Sequence, residues 1–128
     1  MSIALIVLIL VALMPYALAG VGGYFKAKQF GKADNHNPRE QTANLTGPGA
    51  RAYAAQANSW EALAFYSAVI VVVFASGVSL SALTIPALIF AASRIIYPVA
   101  YIADLPMLRS SMFGVGLFSC LYMLYLAF

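Results

Sequence analysis

The sequence predicts an all-α integral membrane protein, a bundle of four hydrophobic helices. Three observations predict it. Hydrophobic residues make up 63% of the 128 positions and charged residues only 9%, where a soluble globular chain carries about a quarter charged. The apolar residues gather in four long runs, each close to the roughly 20 residues of helix that cross a bilayer core. The charge is uneven: Lys26, Lys28, Lys32, Arg39 and Arg51, less Asp34 and Glu40, account for the whole net +3, and the remaining Glu61, Arg94, Asp104 and Arg109 cancel. So short and apolar a chain has too little polar surface to face water. It is also too hydrophobic for disorder, and its length allows one domain, 1–128.

The first run extends from Ile3 to about Tyr24. Ala17-Leu18-Ala19 resembles a signal-peptide cleavage site, but Met1-Ser2-Ile3 offers no basic n-region. The run therefore reads as a retained span, about 3–24, bent at Pro15. Residues 25–49 are polar and rich in turn formers, with Gly31, Pro38, Gly47 and Pro48, and predict a long loop. The second span, about 50–76, has a clean apolar stretch only from Ala62 to Ala75. That is too short to cross alone, so the helix must extend back through Asn58 and Glu61. The third span, about 80–101, contains Pro86, Arg94 and Pro98, and the fourth, about 108–128, opens with Arg109. The positive-inside rule puts loop 25–49 and the turn at Asp104 in the cytoplasm, with both termini periplasmic, or lumenal in a eukaryote. A basic cytoplasmic loop explains the charge better than a nucleic-acid surface does.

An ionisable residue within a span is costly and marks a site or a structural pair. Arg51, Asn58 and Glu61 are spaced by seven and three, and Arg94, Tyr97 and Tyr101 by three and four. Each set falls on one helix face. Two polar stripes at similar depth should meet, with Glu61 pairing Arg94. That pair serves equally as a structural tie between helices or as the wall of a ligand site. Pro98 has no N–H, which frees the carbonyl of Arg94. Tyr53, Trp60, Tyr97 and Tyr101 also fit an interfacial aromatic belt, with Tyr122 and Tyr125 forming the opposite belt. Ala19, Gly23, Gly114 and Gly116 suggest close helix packing. Cys120 is the one cysteine and His36 the one histidine, so neither a disulfide nor a metal site is expected.

The stretch Arg51-Ala-Tyr-Ala-Ala-Gln-Ala-Asn58-Ser-Trp-Glu61 and the segment Arg94-Ile-Ile-Tyr97-Pro-Val-Ala-Tyr101 lie in the second and third of four spans. Together they resemble the MAPEG family, the membrane-associated proteins in eicosanoid and glutathione metabolism, over nearly the whole chain. The short, simple sequence is most similar to the bacterial branch, which implies an inner-membrane location. The resemblance implies a homotrimer of four-helix subunits with glutathione bound between neighbours near the cytoplasmic face. It implies that Arg51, Asn58, Glu61, Arg94, Tyr97 and Tyr101 hold glutathione, and that Arg109 activates its thiol. Those residue types suit the ligand: arginines fork onto carboxylates, a glutamate holds an ammonium, and a nearby arginine lowers a thiol pKa. One departure stands out: several members carry an arginine four residues before the Asn, and here that position is Ala54.

The expected function is a glutathione-dependent transferase or peroxidase acting on lipophilic electrophiles or lipid hydroperoxides. The alternative is a non-catalytic lipid-binding membrane protein of the same fold. A third reading makes the polar stripes packing determinants alone. The expected partners are membrane lipid, a lipophilic small molecule and further copies of the chain, and no nucleic acid.

Overall fold

The computed structural model describes all residues, 1–128, and every regular element is helical. Helix α1 spans Ile3–Phe30, α2 Pro38–Ala43, α3 Gly47–Ala75, α4 Thr84–Ile102 and α5 Pro106–Tyr125, with a short 3₁₀ turn over Leu80–Leu83 leading into α4. Four of the helices are long and apolar enough to cross a membrane: α1, α3, α5, and α4 together with its 3₁₀ lead. The chain is an integral membrane protein.

Helix α1 does not stop at Tyr24. The segment from Phe25 to Phe30 is polar but contains no breaker, and its Lys, Ala and Gln are good helix formers. The helix ends where the backbone is forced to turn. Gly31 takes φ +83° and its N–H bonds Ala27 O at 2.9 Å, a left-handed C-cap that glycine adopts without Cβ strain. The expected loop 25–49 thus shrinks to the residues between Phe30 and Gly47, and it carries α2, which Pro38 opens at its first turn. Helix α3 is continuous through Asn58 and Glu61. At 28 and 29 residues, α1 and α3 are each about 42 Å long and overhang a hydrocarbon core of about 30 Å. Counting about 20 residues back from Ala75 places Asn58 and Glu61 just inside the membrane boundary.

The loop is strapped to α1. Lys26 is buried, donates from Nζ to Pro38 O at 2.8 Å and stands 4.7 Å from the centre of the Tyr53 ring. Gln29 Oε1 accepts from Thr46 N at 3.1 Å. The buried positions of α1, Ala4, Val7, Val11, Pro15, Leu18 and Gly22, repeat every three or four residues and run on to Lys26. The lysine stem thus continues the apolar seam while its ammonium finds a carbonyl and a π face.

The central core joins α1, α3, α4 and α5 around Tyr66, Val69, Phe90, Cys120 and Met123. Tyr66 is fully buried. Its ring stacks on Phe90 with centroids 4.5 Å apart, and its hydroxyl donates to Ala4 O at 3.0 Å. Ser119 Oγ donates to Pro86 O across the α4–α5 seam. Cys120 is buried against these helices and does not face lipid.

Of the glycines expected to mark close packing, Gly116 does and Gly23 and Gly114 do not. A Cβ at Gly23 or Gly114 would meet nothing within 4 Å, whereas one at Gly116 would lie 2.8 Å from Ser93 Oγ. Gly22 is tighter still, since a Cβ there would lie 2.5 Å from the Tyr53 ring. Gly22→Ala is expected to cost about 1–3 kcal/mol by forcing that ring off Lys26 and the α1 seam. A detergent melting temperature equal to that of the native protein contradicts this.

Candidate functional site

The helices run antiparallel, so the C-termini of α1 and α4 and the N-termini of α3 and α5 share one end of the bundle. Lys26, Arg51, Asp104 and Arg109 all lie toward that end. The polar residues of the second and third spans meet one to two turns further in.

Arg94 is 6% exposed. Its Nη1 donates to Asn58 Oδ1 at 3.1 Å, and Asn58 Nδ2 donates to Glu61 Oε2 at 3.0 Å. The direct Glu61–Arg94 ion pair expected from the spacing does not form. Asn58 and Glu61 lie three apart on one helix and touch as surface neighbours do, and the Asn58 amide occupies the span that the pair would close. Arg94 Nη2 is buried and has no hydrogen-bond partner. An unsatisfied guanidinium nitrogen at membrane depth is expensive, and this one has no acceptor within the chain.

These three polar residues form one end of a groove of about 250 Å³, and Ala62, Phe65, Phe90, Phe113, Gly116 and Leu117 form the rest. Phe65 is one turn after Glu61 and Phe90 one turn before Arg94, so the same helix faces continue as apolar walls. That i±4 relation was the available sequence signal for the phenylalanines, which look like any other apolar residue in an apolar span. The floor depends on Gly116, where a side chain would collide with Ser93.

A second hollow adjoins it, lined by Tyr97, Tyr101, Arg109, Ser110 and Phe113. The Arg94 guanidinium carbon lies 4.3 Å from the centre of the Tyr97 ring, Tyr97 meets Tyr101 edge to face at 5.8 Å, and Arg109 Cζ lies 4.6 Å from the Tyr101 ring centre. Cation and aromatic faces therefore alternate from Arg94 to Arg109, each contact favourable in itself. No side-chain hydrogen bond or ion pair holds the Arg109 guanidinium. Tyr97 is buried, and half-buried Tyr53 packs over Gly22, so both rings pack against neighbouring helices. Trp60, exposed, meets Tyr16 edge to face on the outer surface, and Tyr122 and Tyr125 are exposed at the far end.

Arg51 stands apart from this cluster. Its Nε donates to Ile102 O at 3.2 Å, and its Nη1 lies 3.9 Å from Asp104 Oδ2, the one ion pair in the protein. Asp104 holds φ +60° in the turn between α4 and α5. Arg51 thus ties the start of α3 to that turn, two helical turns away from Asn58. No three metal-binding side chains gather anywhere in the chain.

The geometry is thus a buried cation with an unspent donor, a nearby carboxylate, a second free cation and an apolar trough. The family model of the MAPEG family matches residues 3–128, which is nearly the full length. No curated protein and no solved structure gives a significant match. The chain belongs to the MAPEG family, membrane proteins of glutathione and eicosanoid metabolism.

Proposed function

From this membership and the chemistry of the groove, we propose that the protein is a glutathione-dependent membrane enzyme. It acts as a transferase on lipophilic electrophiles or as a peroxidase on lipid hydroperoxides. The observation that carries this reading is the buried Arg94 Nη2 without a partner, beside Glu61 and above a phenylalanine trough. The donor set fits glutathione. Its carboxylates match Arg94 and its ammonium matches Glu61, while Asn58, Tyr97 and Tyr101 border the remaining space. When bound, glutathione supplies a thiol nucleophile. Arg109, without a hydrogen-bond or ion-pair partner in the protein and packed on Tyr101, favours the thiolate form of a thiol held nearby. The trough offers a lipophilic co-substrate entry directly from the bilayer. Arg51 has a supporting place here, holding the turn that precedes Arg109 rather than bordering the trough.

The groove is open on one side, with Glu61 and Phe113 exposed. Assembly as a homotrimer, with a neighbouring subunit closing that side, fits this reading. So does an inner-membrane location with the basic loop cytoplasmic and both termini periplasmic. A second reading, a non-catalytic lipid-binding protein, draws on Ala54: several family enzymes have an arginine there, and its absence leaves the site with fewer cations.

Turnover separates the two. Purified protein assayed with glutathione and a generic aryl halide, and with a lipid hydroperoxide, is expected to be active. Arg109→Ala is expected to lower kcat by about 100-fold, because one oriented charge at a developing anion contributes on that order. No turnover above the Arg109→Ala background with either substrate supports the lipid-binding reading instead.

A further inference from the structure

Glu61 and Arg94 line one groove inside a membrane span, and yet they do not touch each other. Opposite charges in a medium of low dielectric attract strongly over short distances. A direct pair between them would satisfy both and leave the groove with no charge to offer. Asn58 stands in the way. Its Nδ2 donates to Glu61 Oε2 at 3.0 Å and its Oδ1 accepts from Arg94 Nη1 at 3.1 Å. A primary amide is the neutral side chain that presents a donor and an acceptor from one planar group. The two charges also fix which way the amide points. Flipped, its N–H groups would face the guanidinium and its oxygen the carboxylate, and both contacts would be repulsive.

We propose that Asn58 is a positioning residue, a neutral spacer that keeps Glu61 and Arg94 from neutralising one another. Through it each charge is partly satisfied and neither is consumed. Arg94 retains Nη2, and the exposed Glu61 carboxylate accepts no other hydrogen bond from the protein. Two unspent opposite charges one amide apart suit a ligand bearing an ammonium and a carboxylate at the same end, as an α-amino acid terminus does. The identity of that ligand rests on the glutathione reading, but the spacer role does not.

The experiment has two arms. In the first, without ligand, Glu61→Gln and Arg94→Gln form a double-mutant cycle in thermal unfolding, once in the native protein and once in Asn58→Ala. The coupling between positions 61 and 94 is expected to be larger in Asn58→Ala by about 3 °C or more, because the direct pair then closes. In the second, Asn58→Ala is expected to bind glutathione about tenfold or more weakly at a melting temperature no lower than native. Asn58→Gln, which keeps the amide, is expected to regain part of that affinity. Equal or smaller coupling in Asn58→Ala overturns the spacer role, as does an Asn58→Gln protein that binds no better than Asn58→Ala. Native protein that binds no glutathione refutes the choice of ligand, while the first arm still decides on the spacer.

Discussion

Replacing Arg94 with leucine is expected to lower glutathione affinity by about 100-fold or more, close to 3 kcal/mol, without lowering the melting temperature. The two halves have one cause. Arg94 is 6% exposed and holds one hydrogen bond to a neutral amide, leaving Nη2 unpaired. In the free protein such a cation carries a desolvation cost that one bond and the face of Tyr97 do not offset. Leucine removes that cost and restores apolar packing between α3 and α4. Asn58 Oδ1 loses a donor, but Asn58 borders the open groove, where water can reach it. In the bound state the same nitrogen meets an anion, and its removal leaves that anion unpaired. A structural residue behaves in the opposite way: its loss lowers the melting temperature and leaves ligand affinity alone. Thermal unfolding and titration of one Arg94→Leu preparation distinguish the two.

Tyr66→Ala is expected to be the most destabilising single change, costing about 3–5 kcal/mol. Tyr66 is fully buried, stacks face to face on Phe90 at 4.5 Å and ties α3 to the start of α1 through Ala4 O. Truncation opens a cavity where three helices meet, and the lost hydroxyl adds about 1 kcal/mol. Phe90 also walls the groove, so the damage reaches the site: once its stacking partner is gone, Phe90 is free to drop out of the trough. Tyr66→Phe keeps the ring and is expected to recover most of the loss. Melting temperatures of the two variants side by side check this, and a Tyr66→Ala protein as stable as Tyr66→Phe contradicts it.

The four spans were legible because lipid imposes one rule that composition reveals directly: a spanning helix needs a long, predominantly apolar run. The ends of the helices were not legible by the same rule. Polarity begins at Phe25, but helix α1 ends at Gly31, because backbone geometry and not side-chain polarity stops a helix. The meeting of Asn58, Glu61 and Arg94 was visible in helical spacing. Which of them touch was not, since spacing fixes a face but not the order of side chains between two helices. Arg51 shows the limit most clearly. It shares a face with Asn58, but seven residues of rise put it about 10 Å away along the axis, within reach of Ile102 and Asp104. The buried end of the α1 seam at Lys26 was written in its three-and-four spacing, where a lysine does not look like a core residue.

The most direct measurement is a calorimetric titration of the detergent-purified protein with glutathione, and with the analogue that lacks the α-amino group. Saturable binding of glutathione is expected, weakened about tenfold or more both by loss of the amino group and by Glu61→Gln, with no further loss when the two are combined. The absence of saturable heat at about 10 mM glutathione, a concentration that reveals even millimolar affinity, would contradict a glutathione site in the groove, as would equal binding of the two ligands.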